Sequence, residues 1–302
     1  MQTPATREVT ARLLGVLAAA VKPDGGWPYY EGRSSRLEPT CWAALGLSFA
    51  QDAKADSDRV SRARAFLRRL QREDGLLLDD KNPGPNYAWN GLALLADTTI
   101  GGPSPDPWRD RLVAGLLAAK GVALEQSSSL PSQNNRLQAW SWIEGTFSWI
   151  EPTAVCLTAL KKIGAAGRLA RTRMSEAESL ILDRVCDGGG WNFGNAHVLD
   201  QDLRPYVPTT ALALLAMQDR RDHPAVKQSL EWLVAHATAE RGAMALSLAT
   251  VCLQIFGEPT DAVRDLLVRQ EAETKFLGNA HLTAMALFAL TVPRHGAQAF
   301  RI

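Results

Sequence analysis

The sequence predicts an all-α protein: an α/α toroid of about six helical hairpins in two concentric layers, an (α/α)6 barrel that takes residues 1–302 as a single domain. Three observations carry this prediction. Helices with one apolar stripe alternate with helices that are apolar all round, so one class has a wet face and the other is walled in. A phrase of acid, proline and threonine running into Ala and Leu recurs along the chain. The connections between helices also alternate between short and long.

Taken in order, the helix near 6–21 is amphipathic. Its run Leu13–Val21, preceded by Arg7 and Arg12, superficially resembles a signal peptide. It flows directly into Asp24-Gly25-Gly26-Trp27, a unit repeated later, and is therefore read as the first structural helix. The next helix, near 38–50, starts on Glu38-Pro39-Thr40 and continues Cys41-Trp42-Ala43-Ala44-Leu45 with almost no charge. A proline's fixed φ suits the first turn of a helix, and a carboxylate there complements the helix dipole. Residues 58–72 return to the amphipathic class, with Ala65, Phe66, Leu67 and Leu70 set among arginines. The alternation then continues: 87–97 apolar, 108–119 amphipathic, 151–163 apolar from Glu151-Pro152-Thr153-Ala154, and 168–185 amphipathic. Residues 208–218 are apolar, starting Pro208-Thr209-Thr210-Ala211 without the acid; 223–237 are amphipathic, 244–256 apolar, 259–271 amphipathic and 279–291 apolar. Strand pattern is scarce, the best candidate being a short β-hairpin within Leu137–Trp149.

The long connections, 22–37, 74–86, 120–150 and 186–207, all precede apolar helices and so fall on one face. Long loops on a rigid scaffold mark that face as the functional mouth. The inner-helix N-termini point there, a ring of partial positive charge suited to a diphosphate or carboxylate, and Arg33, Arg36, Lys81, Arg136 and Arg204 lie in these loops.

Composition limits the partners. With 46% apolar residues the chain can bury a large core, and 33 Lys and Arg against 32 Asp and Glu give no field that would draw a nucleic acid. Cys41, Cys156, Cys186 and Cys252 are scattered without metal-ligand or CxxC spacing, which fits a reducing compartment. No apolar stretch approaches the ~18–20 residues of a membrane span. The expectation is a soluble, cytoplasmic protein. The arginines 59, 62, 64, 68, 69 and 72 read as a solvated face, with peripheral contact to an anionic membrane as the alternative.

Asp24-Gly25-Gly26-Trp27, Asp74-Gly75-Leu76 and Asp187-Gly188-Gly189-Gly190-Trp191 share one pattern. Phe66-Leu67 with Gln71 precedes the second, Trp232-Leu233 with His236 precedes a worn copy, and acid-Thr-Ala helices follow. This pattern resembles the repeat shared by squalene/hopene cyclases and the β-subunits of protein prenyltransferases. The resemblance covers nearly the whole chain and implies the same toroid. It also implies an isoprenoid substrate and, in the cyclases, an Asp-x-Asp-Asp-Thr-Ala motif whose middle acid protonates an alkene or epoxide. Aligning Thr210-Ala211 with that motif puts Tyr206, Pro208 and Thr209 at the acid positions, so the standard motif is absent there. Aligning Thr153-Ala154 puts Glu151 on the middle acid, and Glu38 falls at the same place in the first repeat. Prenyltransferase β-subunits hold zinc through an Asp-x-Cys pair and a later histidine; His281 stands near that later place, but no Asp-x-Cys exists, so no metal and no other cofactor is expected.

The candidate acids are therefore Glu151 and the loop pair Asp200 and Asp202. Glu38, His281, Tyr206 and the aromatics Trp27, Trp140, Trp142, Phe147, Trp149 and Trp191 are candidates for contact with substrate. Trp27 and Trp191 fit packing within the repeat first and a ligand pocket second, whereas Trp140, Trp142, Phe147 and Trp149 crowd one loop outside any repeat and fit a pocket wall or lid. The leading expectation is a terpenoid cyclase-like protein that takes a polyprenyl or other apolar small molecule, a polyprenyl diphosphate among them, by proton-initiated cyclisation. A non-catalytic toroid binding an apolar ligand or a protein partner is the alternative, and a two-acid glycan-processing enzyme is the third.

Overall fold

The computed structural model describes residues 4–49, 53–79, 84–102, 104–124, 133–198 and 201–302. The predicted toroid is present. Twelve α-helices are described: α1 (Pro4–Ala20), α2 (Leu37–Ser48), α3 (Ala53–Arg69), α4 (Tyr87–Gly101), α5 (Pro107–Ala118), α6 (Ile150–Lys162), α7 (Arg168–Asp183), α8 (Val207–Ala216), α9 (Pro224–His236), α10 (Ala243–Phe256), α11 (Asp261–Thr274) and α12 (Ala280–His295). The even-numbered helices form the inner ring: α2, α4, α6, α8, α10 and α12 each pack on the next, and α12 packs on α2 to close it. The odd-numbered helices cover them from outside. Burial follows this division, for α10 hides eleven of its fourteen residues whereas α11 hides four of fourteen.

The strand expectation needs correction. No strand forms within Leu137–Trp149; Phe147 makes one isolated bridge to Val122, and the only strand pair among the described residues is β1 (His197–Val198) with β2 (Gln201–Asp202).

A repeated staple fixes each inner helix to the loop before it. The Trp27 backbone N–H donates to Thr40 Oγ1 at 2.9 Å, Trp140 N–H to Thr153 Oγ1 at 3.2 Å and Trp191 N–H to Thr210 Oγ1 at 2.9 Å. Each indole N–H meanwhile donates to a carbonyl late in the preceding outer helix, on Leu17, Leu116 and Ile181 respectively. In the second repeat Leu77 replaces the tryptophan, and Asn90 does the threonine's work by accepting from Leu77 N–H at 2.6 Å. The threonine of the recurring phrase is thus a structural device that gives a buried backbone donor its partner. Trp27, Trp140 and Trp191 are fully buried between the layers. The expectation that they touch substrate is corrected, as is the placing of Trp140 outside any repeat: its loop lacks Gly-Gly, which concealed the third copy.

The Asp-Gly turns are fixed by close approach. At Gly75, φ is +84° and a Cβ would lie 2.1 Å from the Arg111 carbonyl oxygen on α5; at Gly25 a Cβ would lie 2.7 Å from the Arg62 carbonyl oxygen on α3. Only glycine accepts both constraints. Gln71 bonds the backbone as its place in the repeat suggests, donating to the carbonyls of Gly75 and Trp108.

The arginines of α3 are not a free basic face. Asp97 on α4 is completely buried and accepts from Arg64 at 2.6 Å, Arg68 at 3.1 Å and Arg109 at 2.6 Å, tying α3, α4 and α5 together. Arg62 and Arg69 donate to the carbonyls of Lys22 and Asp24, while Arg59 and Arg72 pair with Asp56 and Asp74.

Candidate functional site

The four long connections run from outer to inner helices, so the N-termini of the inner helices surround one mouth. A cavity of about 100 Å³ opens there. Its wall follows the six-fold repeat. The second residue of every inner helix contributes, namely Glu38, Ala88, Glu151, Pro208, Met244 and His281. The residues one helical turn deeper form a second layer: Trp42, Leu92, Val155, Leu212, Leu248 and Met285. Side chains four apart on a helix share a face, so each helix presents one axial stripe. Trp89 and Trp142 complete the aromatic wall. Phe300, from the tail beyond α12, stacks on Trp42 at 5.5 Å between centroids and closes the floor. The barrel is therefore filled below a shallow chamber.

Two carboxyl groups face this chamber. Glu151, in the first turn of α6, accepts a hydrogen bond from Thr209 Oγ1 on α8 at 2.8 Å. Burial raises its carboxyl above the ordinary value; the Thr209 bond offsets part of that, and repulsion from Glu38 adds to it. Glu38 accepts a short hydrogen bond from the Tyr29 hydroxyl. Tyr29 is itself pushed far up, by burial first and then by the neighbouring Glu38, so its proton stays on the phenol. Its carbonyl accepts from Ala280 N–H at 2.9 Å, which holds the start of α12 against this loop. His281 Nε2 lies 3.7 Å from Glu38 Oε1, and burial lowers the imidazole below its ordinary value against the pull of Glu38.

Among the sequence candidates, Glu38, Glu151, His281 and Trp142 thus meet at one cavity. The others do not. Asp202 is exposed and pairs with His197 Nδ1 at 2.8 Å in the small hairpin, and it does not line the chamber, so its expectation as the chamber's acid is corrected. Asp200 lies outside the described residues, as does Lys81. Tyr206 and Phe193 stack at 5.0 Å on the exposed rim, Phe147 is exposed beside Val122, and Trp149 packs against Gly194 just before α6. Arg36 is committed to Asp79 at 2.9 Å, and Arg33, Arg136 and Arg204 are exposed without lining the chamber.

Sequence reasoning missed Trp42, Trp89, Met244, Met285 and Phe300. All but Trp89 and Phe300 were accessible from register, because they stand two or six residues into an inner helix, the positions at which Glu38 and Glu151 point the way. Phe300 carried no signal, as the tail follows the last repeat. Among the described residues no three His, Cys, Asp or Glu side chains gather as metal ligands, and no helix is long and apolar enough to cross a membrane.

No protein-family model matches the chain, and no curated protein matches it in sequence. Solved structures do match in fold. A variant of the type II terpene cyclase MstE from Scytonema, in complex with the substrate geranylgeranyl dihydroxybenzoate, superposes with a TM-score of 0.64 at 14% identity over 98% of both chains. An α-amylase from Clostridium perfringens gives 0.67 at 10% identity, covering 94% of this chain and 97% of its own. A glycosidase gives 0.61 at 12% identity over 97% of each. This chain has the all-α toroid of these enzymes.

Proposed function

We propose that this chain binds an isoprenoid or similarly apolar substrate end-on in the axial chamber and cyclises it by protonation, with Glu151 as the acid. The observation that supports this most is a carboxyl raised by burial inside a wall of Trp42, Trp89, Trp142 and Phe300. Protonating an alkene needs an acid that keeps its proton until the substrate arrives and surroundings that tolerate a carbocation. Glu151 gives its proton to the less substituted carbon of the terminal alkene, which leaves a tertiary cation, or to an epoxide oxygen. The cation then formed lies among aromatic side chains beside the Glu38 carboxyl. Loss of a proton at the end of the cascade balances the one delivered.

The size of the chamber sets the pose. About 100 Å³ is smaller than the ~150 Å³ cavity that holds benzene, and well below the ~300–1,000 Å³ of a site enclosing a whole drug-sized ligand. Only the reacting end of a polyprenyl chain fits, and the rest leaves across the rim past Tyr206 and Phe193. Met244 and Met285, unbranched and adaptable, are the wall residues best able to move.

The test is incubation with squalene, polyprenyl diphosphates and prenylated aromatics, followed by product analysis, beside Glu151→Gln. Conversion by the parent chain that is lost in Glu151→Gln supports the assignment. Conversion that survives the substitution removes Glu151 as the acid, and unchanged substrates throughout favour a non-catalytic apolar-ligand toroid. A glycan-processing role draws on the two carboxyl groups at one cavity, but a sugar-binding groove is open and polar whereas this wall is chiefly Trp, Leu, Met and Val.

A further inference from the structure

We propose that the mouth end of the axial chamber is a binding site for a small primary alkylammonium cation, held between Glu38, His281 and Glu151. The first ground is missing counter-charge. Two carboxyl groups line one chamber, and among the described residues no Arg or Lys lines it. Glu38 is met by the Tyr29 hydroxyl and by His281, and Glu151 by the Thr209 hydroxyl. With Glu151 holding its proton, Glu38 is the carboxyl left without an Arg or Lys, and a partly buried carboxyl is ordinarily matched by a positive partner.

The second ground is a buried nitrogen without a hydrogen-bond partner. His281 is only 7% exposed, and its Nε2 has no hydrogen-bond partner. Burial disfavours the charged imidazole, and an ammonium seated here would select the neutral tautomer protonated at Nδ1, in which this nitrogen accepts a hydrogen bond. Nε2 and Glu38 Oε1 stand 3.7 Å apart, and one donor nitrogen set to the chamber side of that pair, about 2.9 Å from each, reaches both. A primary ammonium carries three N–H bonds; Glu38, His281 and Glu151 project acceptors from the same layer of the wall.

The third ground is shape. An ammonium is attracted to aromatic faces, and this wall carries three tryptophans and a phenylalanine. A volume of about 100 Å³ limits the alkyl part to about five carbons. Among the described residues an anion would meet two acids and no cation, which disfavours a diphosphate as the seated polar group.

This inference does not rest on cyclisation, and the two fail separately: one is read from products, the other from binding alone. The experiment titrates the purified full chain with 3-methylbutylammonium, 3-methylbutanol and 3-methylbutanoate at pH 7, followed by the fluorescence of Trp42, Trp89 and Trp142 and by calorimetry. The ammonium should bind saturably and at least about tenfold more tightly than the alcohol, and the carboxylate should not bind. Glu38→Gln should weaken the ammonium about tenfold while leaving the alcohol nearly unchanged. Thermal melts identify a variant that fails to fold, in which case Leu212→Trp, which fills the chamber, should abolish binding of both. Equal affinity for ammonium and alcohol, no saturable ammonium binding, or ammonium binding unaffected by both substitutions would each overturn the proposal.

Discussion

Replacing Glu151 by Gln should make the protein more stable at pH 8 while removing any proton-donor activity. The carboxyl is raised in the folded chain, chiefly by burial. Between the ordinary carboxylate range and that raised value the native state holds a proton that the unfolded chain has lost, so native stability declines as pH rises through the window and stays lower above it. Glutamine has no proton to lose, and its amide oxygen can still accept from Thr209. Each pKa unit corresponds to about 1.4 kcal/mol. One kcal/mol moves the melting temperature of a large domain by roughly 2 °C, so the variant gains about 3 °C per unit. An opposing effect runs through the helix dipole: a charged carboxylate in the first turn of α6 is worth about 0.3–1 kcal/mol, which glutamine forfeits. The pH dependence separates the two. If burial dominates, parent and variant melt together near pH 4 and diverge by pH 8 with the variant higher. Differential scanning calorimetry across that range measures it. A variant that melts below the parent at pH 8 would show Glu151 to be an ordinary helix-start acid and would refute the reasoning.

Other perturbations probe the scaffold. Asp97→Asn leaves three arginines around a buried site without their acid, and should cost about 3–5 kcal/mol in a denaturant titration. Gly75→Ala and Gly164→Ala both place a side chain at positive φ, +84° and +66°, for about 1–2 kcal/mol each. Only Gly75 also meets a backbone oxygen, at 2.1 Å, so its variant should be clearly the less stable by thermal melt, and equal losses would contradict the close approach. Trp191→Phe removes the bond to the Ile181 carbonyl and should cost about 1–3 kcal/mol, yet ligand binding in the chamber, followed by calorimetry, should not change because Trp191 lies between the layers.

The toroid was legible because helix burial is written in composition. A helix such as Ala243–Phe256, without a single charge, has nowhere to be except inside, and the wet stripe of Asp261–Thr274 shows which side faces out. The chamber was half legible. Glu38 and Glu151 stood out because an acid at the head of an apolar helix is conspicuous, and His281 because it opens the last one. Trp27, Trp140 and Trp191 misled, since a tryptophan that fills a pocket and one that staples two helices look alike in sequence. The difference lies in what the indole N–H meets, and here it meets carbonyls on Leu17, Leu116 and Ile181. The arginines of α3 misled for the opposite reason: their acid, Asp97, sits on another helix, and only packing brings it to them.

The same geometry explains how this toroid can differ in chemistry from others of its shape. The wall of the chamber is set by two residues per inner helix, the second and the sixth, together with Trp89, Trp142 and Phe300. The staples, the glycine turns and the Asp97 cluster lie elsewhere. At the position on α8 where the cyclase motif would place its middle acid, the chain has Pro208, and the adjoining Thr209 reaches across to hydrogen-bond Glu151 from α6. An acid moved by one inner helix around the ring still faces the same axis. What changes is its company: Glu151 meets a hydroxyl and Glu38 meets a phenol and an imidazole, with no guanidinium or ammonium among the described residues of the wall. A chamber with that inventory favours a ligand that is apolar, protonated or able to take a proton, and it disfavours any ligand whose buried group is an anion.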